Sequence, residues 1–215
     1  MKYIEEKIVT QKTARVLMAG CDISSAEKIL FALHGYAQTA DDMVLSLAES
    51  LPANMCLIVP EALNHFYAKG FQGRVATCWM TRHMREDAIE DYCHYLQQVY
   101  HLYRNRTRPD AQFLALGFSQ GVATLSRWIL RKAPDMHMYF FHSGLPADEW
   151  LNDLNKVVQK TFFLYGDQDP FIEQTDKEKI LTLMKNKNID IIEFQGGHTM
   201  NPDVLLNSFH ETAQR

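Results

Sequence analysis

The sequence predicts an α/β architecture, a mostly parallel sheet covered by helices on both faces, with an antiparallel hairpin at its N-terminal edge. Three observations carry this. Short, continuous apolar runs such as KILFAL, MCLIVP and FLALGF recur along the chain, as strands buried on both faces do. Stretches with apolar residues three and four apart separate them, as amphipathic helices do. And 47% hydrophobic against 22% charged residues in 215 is enough apolar matter to fill a core between a sheet and two helix layers.

The elements follow in order. IEEKIVTQ and then ARVLMAG alternate well enough to predict the hairpin, turning near Gln11-Lys12-Thr13. KILFALHGY is a strand ending in glycine, and the polar turn AQTADD opens a helix through Met43, Leu45, Leu47 and Leu51. MCLIVP is the next strand, and HFYAKGFQGRVATCW is a long stretch without clear periodicity. The helix after it aligns Ile89, Tyr92, Cys93, Leu96, Val99, Tyr100 and Tyr103 on one face. AQFLALGF is a strand that runs at once into the helix QGVATLSRWIL. MHMYFFHSG, KTFFLYGD and IDIIEFQ supply three more strands, with helices around Glu173–Lys187 and Pro202–Ala213. No repeat, low-complexity tract or linker interrupts the chain, so one domain over residues 1–215 is expected.

Composition narrows the function classes. With 22 Lys+Arg against 26 Asp+Glu and a net charge of -4, the basic excess of a nucleic-acid binder is missing. Cys21, Cys56, Cys78 and Cys93 form no CxxC pair and have no histidine at zinc spacing; they read as reduced thiols in a cytoplasmic protein. MKYIEEKIVTQ does not resemble a signal peptide. No apolar stretch approaches the ~20 residues that span a bilayer, so no stable membrane insertion is expected.

In parallel α/β sheets the site lies at the carboxyl ends of the strands. Those ends hold His34-Gly35-Tyr36, Gly117-Phe118-Ser119-Gln120-Gly121, Gly166-Asp167-Gln168-Asp169-Pro170 and Gly196-Gly197-His198. The second is G-x-S-x-G between a strand and a helix, the setting of a nucleophilic serine held on a strained turn. A side chain at either glycine would collide with neighbouring elements. The alternative, a glycine-flanked turn with an idle serine, fits that context less well. A serine hydroxyl needs a base, normally a histidine held in its tautomer by a carboxylate. His198 completes the chain order Ser, Asp, His of this arrangement, with His34 and His142 as rivals at other strand ends. Asp169 reaches further past its strand than Asp167, which suits a turn cap. The N–H groups of Gln120 and Tyr36 are the candidate oxyanion donors, with Gly35 allowing close approach and His34 fixing the loop. The aperiodic stretch should border this site, which makes Phe71 and Trp79 candidate pocket walls beside Phe66, Tyr67 and Tyr36. The bland alternative is that these rings pack under the loop.

LFALHGYAQTADDM, LGFSQG, FFHSGLP, LYGDQDP and GGHTMNP resemble, in order and spacing, the carboxylesterase/phospholipase and acyl-protein thioesterase family of α/β-hydrolases. The resemblance covers about residues 28 to 215. It implies the α/β-hydrolase fold, with Ser119 as nucleophile, Asp169 as acid, His198 as base and the backbones of Tyr36 and Gln120 as oxyanion donors. Tyr36 stands where the family often has Leu, Val122 where it often has a second Gly, and Cys78-Trp79-Met80-Thr81 matches its Trp segment only in part. These departures bear on the substrate and leave the reaction class standing. The expected function is hydrolysis of small to medium ester or thioester substrates through an acyl-enzyme. No metal or organic cofactor is implied, since no ligand cluster such as HExxH is present. A homodimer is compatible with the resemblance, though no residue demands one. Cleavage of amides and a non-catalytic scaffold are the competing readings.

Overall fold

Continuous apolar runs become the centre of one seven-stranded sheet. The computed structural model describes residues 3–147, 160–172 and 174–210. The strands are β1 (Val16–Gly20), β2 (Lys28–Leu33), β3 (Met55–Pro60), β6 (Gln112–Phe118), β7 (Met138–His142), β8 (Lys160–Gly166) and β9 (Asp190–Phe194). They lie in the order β1-β3-β2-β6-β7-β8-β9, parallel throughout except for β1, which runs antiparallel to β3. Every residue of β3 is buried, and so is all of β6 beyond its first residue. Burial on both faces is what removes the alternation from these sequences.

Helices α2 (Arg85–Arg104), α3 (Gln120–Lys132) and α4 (Gln174–Asn186) cover one face. Their stripes, including Leu96, Trp128 and Met184, close a core over Phe31, Phe113 and Phe163. Helices α1 (Ala40–Leu47) and α5 (Pro202–His210) cover the other, packing Met43, Leu47, Leu205 and Phe209 on Leu57, Leu116, Phe140 and Phe162. A capping box starts α1, with Thr39 accepting from the Asp42 N–H and Asp42 accepting from the Thr39 N–H. Among the described residues no helix is long and apolar enough to cross a membrane. The four cysteines are free, and burial pushes the Cys56 thiol up to about 11 and that of Cys93 to about 12.

The N-terminal edge differs from expectation. ARVLMAG does supply the antiparallel strand β1, but IEEKIVTQ forms no strand against it. Ile4, Ile8 and Val9 are each at least 87% exposed, so their alternation has no apolar face to meet. Polar tethers hold that arm instead, from Lys7 to Asp87 (2.7 Å), from Lys12 to the Leu63 carbonyl, and from Arg15 to Asp41 and Glu61.

A hairpin lies where the sequence showed no periodicity. Strands β4 (Asn64–Lys69) and β5 (Gln72–Cys78) form a separate two-stranded sheet. The chain turns through Gly70 and Phe71, with Gly70 at φ 58°, a conformation glycine adopts without cost. The hairpin forms its own sheet, exposing nearly all of β4 and the first four residues of β5, so burial imposes no alternation on it. The expected helix segments at Glu173 and at residues 211–213 lie outside the described residues.

Candidate active site

The carboxyl ends of β2, β6, β7, β8 and β9 converge on Ser119. This residue stands between β6 and α3 with φ 52° and ψ −117°, a left-handed backbone that costs a non-glycine residue roughly 1–3 kcal/mol. The flanking glycines permit it. A Cβ at Gly117 would fall 2.7 Å from the Gly121 carbonyl oxygen, and one at Gly121 would fall 2.3 Å from that of Leu33. Both obstacles are backbone, so neither can swing aside. Gly121→Ala is therefore expected to destabilise the protein by about 1–3 kcal/mol through overpacking, read as a fall in Tm by thermal denaturation. An unchanged Tm would show that α3 and β2 are not locked together there.

Ser119 Oγ donates to Nε2 of His198 at 2.9 Å. On the other side of the ring, Nδ1–H of His198 donates to Asp169, with Oδ2 at 2.9 Å and Oδ1 at 3.1 Å. The Asp169 side chain is fully buried and also accepts the Phe171 N–H at 2.9 Å. A hydroxyl, an imidazole and a buried carboxylate joined in this way can raise the hydroxyl's nucleophilicity by drawing off its proton. Asp167 bonds beyond its own turn: Oδ1 accepts the Gly196 N–H at 2.9 Å, on the loop that carries His198.

The loop after β2 lies directly against Ser119. A Cβ at Gly35 would sit 3.1 Å from that of Ser119. The Gly35 N–H is taken by Oε1 of Gln38 at 2.7 Å, which leaves the N–H of Tyr36 as the next donor along the loop. Gln120 opens α3, whose N-terminal N–H groups and positive dipole end favour negative charge. The Gln120 side chain does further work: Oε1 accepts the Trp79 N–H at 3.1 Å and Nε2 donates to the Met80 carbonyl at 3.0 Å.

His34 and His142 are both completely buried. His34 Nδ1–H donates to the Gly35 carbonyl at 2.9 Å, and Nε2 accepts the Ala62 N–H at 3.1 Å. Burial lowers its pKa, so it holds the loop as a neutral ring. His142 bonds to Ser143 and to Asn201.

The two expected pocket walls stand elsewhere. Phe71 is 99% exposed at the hairpin tip, carried away from the sheet by β4 and β5. Trp79 is 1% exposed; its indole N–H donates to the His34 carbonyl at 2.8 Å, and its ring packs on His34 and Tyr92. An indole that finds an internal acceptor is drawn under the loop rather than into a cleft. The open rings near the site are Tyr36, which was expected among the walls, and Phe171, which was not. Tyr36, 57% exposed, packs on Phe66 with centroids 5.5 Å apart, and Phe171, 75% exposed, lies 4.5 Å from the His198 ring. Phe171 directly follows Pro170 in the Asp169 loop, which was the available signal for it.

Comparisons with known proteins bear on the fold and the family. A sequence search against curated proteins finds no match. Among solved structures the chain is similar to esterase PE8 (TM-score 0.67, 19% identity, covering 94% of this chain and 99% of that one). It is similar to Zea mays acyl-protein thioesterase 2 (0.64, 16%, 94% and 98%) and to a phospholipase/carboxylesterase from Dyadobacter fermentans DSM 18053 (0.63, 17%, 96% and 99%). At such identities the likeness is one of fold, the α/β-hydrolase fold that the strand-end motifs imply. The serine hydrolase (FSH1) family model matches residues 23–202. The chain belongs to the serine hydrolase (FSH1) family.

Proposed function

We propose that the protein hydrolyses carboxylic esters or thioesters of small to medium acyl chains, with Ser119 as nucleophile, His198 as base and Asp169 as acid. The observation that carries this reading is the unbroken relay from Ser119 Oγ through both ring nitrogens of His198 to the buried Asp169 carboxylate. His198 Nε2 takes the hydroxyl proton as Oγ attacks the substrate carbonyl, and Asp169 steadies the imidazolium. The N–H groups of Gln120 and Tyr36 receive the oxyanion. Collapse of the tetrahedral intermediate expels the alcohol or thiol, which takes its proton from His198 and leaves Ser119 acylated. Water, deprotonated by His198, then attacks the acyl-enzyme and restores the serine. No step needs a metal or organic cofactor.

The acyl preference follows from the open rings. A chain lying on Tyr36, Phe66 or Phe171 stays partly in water, so each added CH₂ gains less than the ~0.8 kcal/mol of full burial. Rates on a nitrophenyl-ester series should rise from acetate, level off at medium chains, and fall well short on emulsified triglyceride. Activity that climbed to palmitate and jumped above the solubility limit would instead mark a lipase. Thioester and amide analogues of the best acyl group, assayed together, separate ester and thioester cleavage from amide cleavage.

A further inference from the structure

His142 ends β7, between β6 and β8 in the sheet, and its groups reach the two loops that matter most. Its backbone carbonyl accepts the Ser119 N–H at 3.0 Å. Its Nε2 lies 3.1 Å from the backbone nitrogen of Asn201. A backbone N–H can only donate, so Nε2 carries the lone pair and the proton of the neutral ring is on Nδ1. That proton points to Ser143 Oγ at 3.1 Å. Phe118 packs on both histidines, 5.5 Å from the His142 ring and 5.2 Å from the His198 ring, while Phe194 closes the far side of His142 at 5.3 Å.

Asn201 stands three residues beyond His198, and its side chain caps α5 by accepting the Val204 N–H at 3.1 Å. The segment carrying His198 is thus held on both sides. Asp167 grips the Gly196 N–H before it, and His142 grips the Asn201 N–H after it. A protonated His142 could not accept from Asn201, and burial prevents that state. Desolvation first, and then the neighbouring His198, hold its pKa down to about 3, against a smaller opposing pull from Asp169.

We infer that His142 is a positioning residue for catalysis: through the Nε2 bond to Asn201 it sets the His198 ring in line with Ser119. This rests on the triad reading above. Nothing in G-x-S-x-G chemistry asks for a histidine here, and a ring with both nitrogens engaged and no exposed surface cannot itself be the base. A buried residue kept for packing alone could be apolar, because Phe118 and Phe194 supply apolar walls. The polar contact to Asn201 is what a hydrocarbon could not provide.

Three variants and one spectrum test this. His142→Phe keeps the ring contacts and removes the acceptor, His142→Gln restores an acceptor of similar reach, and Ser143→Ala removes the hydroxyl that receives the Nδ1 proton. A displaced base lowers kcat by roughly 10- to 100-fold, so His142→Phe should show that loss with KM within about twofold, counted per site by fluorophosphonate titration. His142→Gln should recover most of it, and Ser143→Ala should move kcat in the same direction by a smaller factor. Amide exchange at Asn201 should accelerate in His142→Phe. A purely structural role would lower Tm and leave kcat of the folded sites intact. Should the phenylalanine variant fail to fold, the ¹⁵N spectrum of the unmodified protein decides, with His142 expected to be protonated at Nδ1. Protonation at Nε2, or unchanged kcat in the folded variants, would overturn the inference. Failure of the unmodified protein to take up the fluorophosphonate at Ser119 would overturn the triad reading first, and the two failures are thereby told apart.

Discussion

Replacing Ser119 by alanine should lower kcat on any ester that the protein cleaves by roughly 10⁴-fold or more, with the fold intact. The hydroxyl is the only atom removed, and the relay it begins is the one on which the proposed chemistry depends. The stability change should be small or favourable. Alanine has the same Cβ in the same left-handed backbone, so the strain at φ 52° remains, while the hydroxyl that had to be aimed at His198 is gone. Residual activity would come from the oxyanion donors and from binding alone. Near-normal turnover by a homogeneous preparation of this variant would remove Ser119 from the mechanism.

The second large effect is at Asp169. Asp169→Asn keeps size and shape but offers an amide to His198 in place of a charge, which favours the wrong tautomer and leaves an imidazolium without its partner. A loss in kcat approaching 10⁴-fold is expected. Asp167→Asn is the control. Its amide oxygen can still accept the Gly196 N–H, so the loop keeps its cap and kcat should stay within roughly tenfold of the parent. Steady-state kinetics on both variants, with circular dichroism to verify folding, discriminates between the two carboxylates. A greater loss at Asp167 would reverse their roles.

What could be read from the residues follows from how local each cause is. MCLIVP coincides with β3 because both faces of that strand are buried and every position must be apolar. GFSQG could be found because its pattern is compact: the turn from strand to helix sets Gly117 against the Gly121 carbonyl, while β2 sets the Leu33 carbonyl against Gly121. The hairpin β4–β5 could not, since β4 buries neither face and β5 buries only its last three residues in a row, which leaves no period. Phe71 and Trp79 show the same limit for side chains. Aromatic residues in an aperiodic stretch give no direction, and here one points to solvent while the other turns under the loop. The place of His142 is set by Asn201, 59 positions further on, and no local pattern announces such a contact. The alternation of IEEKIVTQ misled for the converse reason, being a local pattern with no sheet face to receive it.

Ser119 and His198 are 79 positions apart, and His198 arrives on the loop after β9, which among the described residues is the last strand and pairs only with β8. During translation at about 5–20 residues per second, the serine leaves the ribosome about 4–16 s before the histidine that would activate it. Most of the sheet can form in that interval, yet the chain carrying it has no base. On the proposed triad, hydrolysis would begin only once β9 docks, and the appearance of esterase activity in a synchronised translation reaction would time a late step of assembly rather than the first.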